Sequence, residues 1–274
     1  MRSLLLCIVL CVLLSVFGTS SAKKKRSSID DHNAEWQKLG TEAMAAFQSG
    51  KNQEAYAAFL KMQGITPNNH ELYIAAGQVL QKMGKAEDAL QEYLKAIEVL
   101  KPGKEDRGPV QGDSKKKMAE PYEKIGELFK SIGDYAQALT AFDTALEKDP
   151  TRVSTLLMRG TLAQEHEAYQ KAEADFLKAS ALEPKNINAW NGLGVAWMFL
   201  EHACQPGVKM DLNPSGVCKP ANSSYDSYDE GSIAALRTVM ELEAGNMVTL
   251  SNLVMAENRC CDWSRRTKHL GKKF

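Results

Sequence analysis

Residues 119–150 read AEPYEKIGELFKSIGDYAQALTAFDTALEKDP, and this stretch decides the fold. Its apolar residues recur at helical spacing on both sides of Gly133, which predicts two helices joined by a tight turn. Pro150 ends the second helix, because a proline ring and its missing N–H do not allow a helix to continue. The same pattern returns 34 residues later, where Gly126, Ala138, Phe142, Ala145 and Pro150 are matched by Gly160, Ala172, Phe176, Ala179 and Pro184. A fixed period of this length indicates a helical repeat array.

The period extends in both directions from this stretch. Residues 70–103 keep it through Tyr73, Gly77, Gly84, Ala89, Tyr93 and Ala96, and residues 36–69 keep a weaker version through Gly50, Ala55, Phe59 and Pro67. A fifth repeat begins at Ile187; we expect its second helix at 232–243 and another first helix at 247–257. In the fourth repeat Glu167 stands where the turn glycine usually falls.

Two stretches interrupt the period. Residues 103–118, rich in glycine, lysine and aspartate, predict a mobile surface loop. Residues 202–231 predict an insertion between the two helices of the fifth repeat, and loops of that length are either functional or disordered. The predicted order is a signal peptide at 1–22, a basic disordered leader at 23–35, repeats at 36–102, the loop at 103–118, repeats at 119–201, the insertion at 202–231, the remaining repeat helices at 232–257, and a cap or tail at 258–274.

The N-terminus has the pattern of a secretory signal. Arg2 precedes an apolar run over 4–17, and the small residues at 20–22 suit cleavage. The run is shorter than the roughly 18 residues of a spanning helix. An uncleaved anchor is the alternative, because the basic residues at 23–26 prefer the cytoplasmic side of a membrane. The first interpretation places the chain in the endoplasmic reticulum lumen or outside the cell, and the second leaves the repeats in the cytosol on a membrane.

The composition limits the classes of partner. The chain has 274 residues, 44% of them hydrophobic, which is enough for a buried core without a cofactor or metal, so we expect neither. The formal net charge is zero. Binding of nucleic-acid phosphates requires a basic face, and we therefore expect no nucleic-acid partner.

The insertion carries two further signals of an oxidising compartment. Cys204 and Cys218 lie on either side of its centre, and a disulfide between them would hold a loop with little core of its own. The alternative is two free thiols, as in a cytosolic protein. Asn222 begins an Asn-Ser-Ser sequence, which is an N-glycosylation acceptor. Together with the signal pattern, these residues favour the secretory pathway.

Catalytic and metal sites are not predicted. Cys260 and Cys261 are adjacent and match no zinc-ligand spacing, and we expect them to pack at a helix end. The sequence shows no nucleophile elbow, phosphate-binding glycine loop or carboxylate pair of defined geometry. We therefore expect a non-enzymatic protein.

The repeated glycine, alanine and aromatic positions resemble those of the tetratricopeptide repeat family. The resemblance implies an all-α fold, a right-handed superhelix (α-solenoid) of about five to six units with two insertions, whose first helices line a concave groove for a protein or peptide. Near the C-terminus, residues 252–256 and Cys261-Asp262-Trp263 resemble the point where the repeats of O-linked N-acetylglucosamine transferases meet the catalytic half. No glycosyltransferase domain follows Trp263 here, so that resemblance does not imply the activity.

In this register the first helices offer candidate groove residues of two kinds. The acidic ones are Glu120, Glu123 and Glu127, and the uncharged ones are Leu157, Asn191, Val195 and Met198. Such a groove suits an extended segment with basic and apolar side chains, although three glutamates at helical spacing also fit a solvated helix face. Trp190 and Trp197 are expected to pack in the core.

Three functions remain open from the sequence. The first is an interaction scaffold in the secretory pathway. The second is a relative, or a substrate-presenting subunit, of a glycosyltransferase. The third is a membrane-tethered cytosolic adaptor or co-chaperone, for which the membrane is a partner only if the N-terminal segment is an uncleaved anchor.

Overall fold

The computed structural model describes residues 34–101, 111–203, 227–243 and 245–270. Every regular element in these ranges is a helix, which confirms the predicted all-α fold. The chain divides into two compact bodies, Met1–Gly108 and Pro109–Phe274. Each body consists of antiparallel helix pairs at the positions that the repeat period predicts.

The N-terminal body contains two helix pairs. Helix α1 spans 34–48 and pairs with α2 (Asn52–Ile65), and α3 (His70–Lys82) pairs with α4 (Ala86–Leu100). Its core contains the predicted Ala55 and Phe59, together with Ala43, Leu72 and Ala76.

The C-terminal body begins with a short helix, α5 (Gln111–Lys117). The pairs that follow are α6 (Ala119–Ser131) with α7 (Tyr135–Lys148), α8 (Val153–Glu165) with α9 (Tyr169–Leu182), and α10 (Ile187–Ala203) with α11 (Tyr228–Leu242). Helix α12 (Met247–Leu270) packs on α11 as the first helix of another repeat.

The structure differs from the predicted boundaries at three places. Helix α5 occupies part of the predicted loop at 103–118. Helix α11 begins at Tyr228 rather than 232, because the Ser227 side chain accepts the backbone N–H of Glu230 and caps the first turn. Helix α12 continues through most of the predicted tail, since its sequence has neither glycine nor proline before Gly271.

The turns inside the pairs share one backbone conformation. Gly50, Gly84 and Gly133 have φ of 76°, 73° and 81°, in the left-handed region that glycine adopts without steric cost. Glu167 has φ 59° at the equivalent turn of the fourth repeat. The turn is therefore kept without glycine, and the glutamate backbone carries the strain.

Close helix approach explains the repeated glycines within the helices. A Cβ atom on Gly126 would lie 2.5 Å from Cε1 of Phe142, and one on Gly77 would lie 2.5 Å from Cε1 of Tyr93. The aromatic ring of each second helix thus lies directly on the backbone of its first helix. This contact fixes the separation within a pair.

Candidate binding surfaces

The predicted groove residues lie on α6, α8 and α10, the first helices of three successive repeats. We call the side of these helices that carries them the first-helix face. Five of the seven side chains are half-buried: Glu120, Glu127, Leu157, Asn191 and Val195. Half-buried side chains on rigid helices keep accessible surface while losing little conformational freedom when a ligand binds. These five therefore remain candidates for contact with a partner.

Glu123 does not belong to that surface. Its side chain is 3% exposed and accepts hydrogen bonds from Arg152 Nε at 2.7 Å, Arg152 Nη2 at 3.2 Å and Ser154 Oγ at 2.6 Å. The Thr155 hydroxyl donates a further hydrogen bond. Burial alone raises the pKa of Glu123, but the four donors and the guanidinium charge outweigh it and hold the pKa below its ordinary value. The prediction of Glu123 as a groove residue is therefore wrong, because this carboxylate joins α6 to the start of α8.

The prediction of Met198 as a groove residue is also wrong, because its side chain is buried. It is 5% exposed and packs with Leu236 and Ala256, in a cluster formed by α10, α11 and α12. Helical phase explains the difference from Val195, which lies three residues earlier and stays half-buried. Met198 thus stabilises the packing between repeats.

The acidic character of α6 is weaker than its sequence predicts. Lys124 Nζ lies 2.8 Å from Glu127 Oε1 and 3.0 Å from Glu127 Oε2, and both side chains are largely covered. Within the described part of the chain Glu120 makes no ion pair. Of the three predicted glutamates, Glu120 is thus the one whose charge is available to a partner on the first-helix face.

The two tryptophans of α10 are structural. Trp197 is 1% exposed, and its Nε1 donates to Glu173 Oε1 at 2.7 Å. Trp190 is half-buried, packs against the same apolar cluster and donates from Nε1 to the carbonyl of Pro184 at 2.8 Å. The predicted core placement is confirmed for Trp197, whereas Trp190 packs at the edge of the core.

A cavity of about 490 Å³ lies on another side of the C-terminal body, between α7, α8 and α9. Its apolar lining includes Leu139, Leu162 and Ala163. Further alanines at 136, 168 and 174 leave the space open, because they have no side chain beyond Cβ. Sequence reasoning missed this cavity. The signal for it was present in the small residues, which the repeat template alone attributes to helix packing.

One end of the cavity holds a charged network. Arg159 donates to both carboxylate oxygens of Asp175, from Nε at 2.9 Å and from Nη2 at 2.6 Å, and from Nη1 to Asp143 Oδ1 at 2.5 Å. The hydrogen bonds to Asp175 raise the pKa of Arg159 above its ordinary value, against the opposing effect of burial. The arginine is therefore held in one orientation by its two carboxylate partners.

The other end of the cavity is aromatic. The rings of Tyr135 and His166 meet edge to face with centroids 4.2 Å apart. Lys171 lines the cavity nearby and is exposed. Tyr135 and Asp143 are eight residues apart on α7, which separates the two ends by about 12 Å.

Several predicted features lie outside the described residues: the signal segment at 1–22, the disulfide between Cys204 and Cys218, and the glycosylation site at Asn222. Among the residues that the structure describes, no cluster of histidine, cysteine and carboxylate side chains could hold a metal ion. Helices long and apolar enough to cross a membrane are also absent from the described ranges.

Comparison with known proteins identifies the repeats. The tetratricopeptide repeat family matches residues 70–99 and 119–152. A tetratricopeptide repeat protein from Parabacteroides merdae superposes with a TM-score of 0.53 at 16% identity, over 87% of this chain and 78% of that one. The α3–α4 and α6–α7 pairs therefore match tetratricopeptide repeats, as the sequence pattern predicts, and the structural likeness shows a shared fold.

Two curated relatives match more than half of this chain. The Hsp70-Hsp90 organizing protein of Triticum aestivum is 26% identical over 155 residues, which cover 57% of this chain and 22% of that protein. The human Protein O-mannosyl-transferase TMTC1 is 25% identical over 152 residues, which cover 54% of this chain and 16% of that protein. The chain thus spans about a fifth of the length of these relatives, and the similarity is confined to that part.

Proposed function

We propose that this protein is a non-enzymatic scaffold that binds an extended protein or peptide segment on the first-helix face of its C-terminal body. The observation that carries the proposal is the row of half-buried side chains on α6, α8 and α10, where Leu157 and Val195 are apolar, Asn191 is an amide and Glu120 is an acid. Such mixed chemistry on rigid helices recognises a peptide through both its side chains and its backbone.

Each of these residues has a distinct part in the proposed recognition. Leu157 and Val195 remove apolar ligand side chains from water. The Asn191 carbonyl oxygen accepts a hydrogen bond from Thr249 Oγ1 at 3.4 Å, while its NH₂ group donates to no other described residue and is suited to a ligand carbonyl. Glu120 attracts a basic side chain. The ligand is thus an extended segment that alternates apolar and basic residues.

The relatives agree with a scaffold. The Triticum aestivum protein is named Hsp70-Hsp90 organizing protein, and its match covers 57% of this chain. That similarity supports protein binding as the function class. The ligand of this chain is not inferred from it.

The test uses a peptide selected from a random display library on the full chain. We expect Asn191→Ala and Val195→Ser to weaken binding of the selected peptide about tenfold together, since each removes one favourable contact. Leu182→Ser is the matched control, because Leu182 is exposed on α9, away from the first-helix face. Equal binding by the double variant and the control, with circular dichroism spectra unchanged, would refute the proposed site.

The proposed compartment is the secretory pathway, with the lumen favoured over a membrane-tethered cytosolic form. It rests on the signal pattern at 1–22 and on the cysteines and acceptor Asn222 in the insertion. Expression in cells followed by protease protection and endoglycosidase digestion distinguishes the two. A protected band that shifts on digestion, and no longer shifts in Asn222→Gln, supports the lumen. An accessible band without a glycan contradicts it.

A second candidate function is presentation of substrates to a glycosyltransferase. It is favoured by the 25% identity over 152 residues to a human O-mannosyl-transferase, and by the resemblance of the Cys261-Asp262-Trp263 region to a repeat-to-catalytic junction. Co-purification of a sugar-transferring activity with the chain, lost in Val195→Ser, supports this role. If no transferase co-purifies with the chain, this role is contradicted and the scaffold function alone is retained.

A further inference from the structure

The cavity between α7, α8 and α9 lies on the opposite side of α8 from the first-helix face. Successive residues of an α-helix are rotated by about 100°, so Leu162 and His166 point roughly 140° and 180° away from Leu157. Leu162 and His166 line the cavity, whereas Leu157 lies on the proposed groove. A ligand in the cavity therefore does not compete with one on the first-helix face.

The cavity has the size and lining of a binding site. Its volume of about 490 Å³ lies within the roughly 300–1,000 Å³ that is usual for ligand pockets. Leu139 and Leu162 give it an apolar floor. Three other lining residues, Ala136, His166 and Ala174, are exposed, so the cavity opens to solvent. A side chain that belongs to a protein segment can therefore enter it.

The charges around the cavity are unequal at its two ends. At one end the Arg159 guanidinium is neutralised by Asp143 and Asp175, so this end attracts no further anion. At the other end Lys171 makes no ion pair with any described residue. Helix α9 also begins there, and its N-cap residue Ala168 lines the cavity and provides no capping side chain. Glu167 precedes this N-terminus but is exposed and does not line the cavity, so within the cavity the lysine and the positive end of the helix dipole together favour a carboxylate.

We propose that this cavity is a second binding site, for a protein segment in which a bulky aromatic side chain stands next to an acidic residue. The ring occupies the apolar space between Leu139 and Leu162 and meets the edge-to-face pair of Tyr135 and His166. The neighbouring carboxylate pairs with Lys171. This preference differs from the basic and apolar segment proposed for the first-helix face.

The test uses a defined probe, the peptide N-acetyl-Asp-Trp-Asp-amide, added to the full chain with ¹³C-labelled leucine and alanine methyl groups. We expect saturable shifts of the methyl resonances of Leu139, Leu162 and Ala163. Replacing both aspartates of the probe with lysine, or its tryptophan with alanine, is expected to abolish them. Shifts of the same size with all three probes would refute the proposed chemistry.

Three variants test the site from the side of the protein. Lys171→Glu is expected to weaken binding of the probe at least about fivefold, since it replaces an attraction with a repulsion. Lys178→Glu is its matched control on the same helix, because Lys178 is exposed and does not line the cavity. Ala174→Phe fills the cavity from its exposed rim and is expected to prevent binding while the melting temperature is retained.

The results separate this site from the proposed groove. Asn191→Ala with Val195→Ser is expected to leave the probe bound in the cavity. Probe shifts that map to Leu157 instead, or binding that persists in Ala174→Phe, would overturn the second site and leave the first untouched. Loss of binding of the display-selected peptide in Val195→Ser would equally say nothing against the cavity.

Discussion

Replacing Glu123 tests whether a predicted binding residue is in fact a structural one. The carboxylate is 3% exposed and accepts four hydrogen bonds, two of them from Arg152. Glu123→Ala leaves the guanidinium, which is largely covered, and the fully buried Thr155 without their acceptor. Removing one partner of a buried charge pair costs about 3–5 kcal/mol. Because Arg152 retains some contact with water, we expect about 3 kcal/mol for the alanine variant and about 1.5 kcal/mol for Glu123→Gln.

The loss of folding stability in Glu123→Gln is expected to depend on pH. The folded protein holds the pKa of Glu123 below its ordinary value, so the stabilisation is fully present above the unfolded pKa of about 4.3. It is lost as the pH falls from there through the folded pKa, because the carboxyl group becomes neutral and resembles glutamine. The difference between the wild-type chain and Glu123→Gln is therefore largest at neutral pH and shrinks in acid.

The assay is urea unfolding of the full chain, followed by tryptophan fluorescence at neutral pH and at about pH 3.5. Trp190 and Trp197 lie in the same compact body as Glu123 and report its unfolding. The control is Glu147→Gln, an exposed glutamate of α7. If both glutamine variants unfold at the same urea concentration as the wild type at neutral pH, Glu123 is not part of the packing and our assignment is wrong.

Three further changes follow from backbone strain, close packing and burial. Glu167→Gly is expected to raise the free energy of unfolding by about 0.5–1 kcal/mol, since glycine relieves the left-handed turn, and a lower thermal midpoint would contradict this. Gly126→Ala is expected to cost about 1–3 kcal/mol, because the new Cβ overlaps the Phe142 ring. Gly64→Ala in α2 meets no atom within 4 Å and is its control in urea unfolding, where it is expected to leave stability unchanged or raise it by up to about 1 kcal/mol. Burial and the nearby Asp229 carboxylate raise the pKa of Glu201 in the folded protein. The melting temperature of Glu201→Gln is therefore expected to rise relative to that of the wild type as the pH rises from about 4 to 7. A difference in melting temperature that stays constant over this range would refute the raised pKa.

The boundaries that sequence reasoning missed have local physical causes. Ser227 and Glu230 form an N-cap that shows in the sequence as Ser-x-x-Glu, and reading it would have placed the start of α11 correctly. The absence of breakers between Met247 and Leu270 likewise predicts a long helix. Both signals are present in the sequence, next to stretches whose composition favours irregular structure.

The sequence could not show which of the predicted binding residues are exposed and which are paired within the protein. Glu120, Glu123 and Glu127 have the same residue type and helical spacing, and their sequence gives no reason to separate them. Only the structure shows that Glu123 pairs with Arg152, which comes 29 residues later, and that Glu127 forms a salt bridge with Lys124. The Arg152 partner is long-range and depends on how one repeat packs on the next, whereas Lys124 lies three residues before Glu127 on the same helix.

The sequence by itself determined the all-α fold, the repeat period, the turns and the aromatic contacts within each pair, because these depend on residues at a fixed short spacing. Even the turn at Glu167 follows from the period. Tertiary structure alone decided which polar residues are buried in contacts within the protein and where a cavity remains between the helices. The cavity beside Leu162 exists because small side chains from three helices meet there, and along the chain these residues look the same as the small residues that serve helix packing.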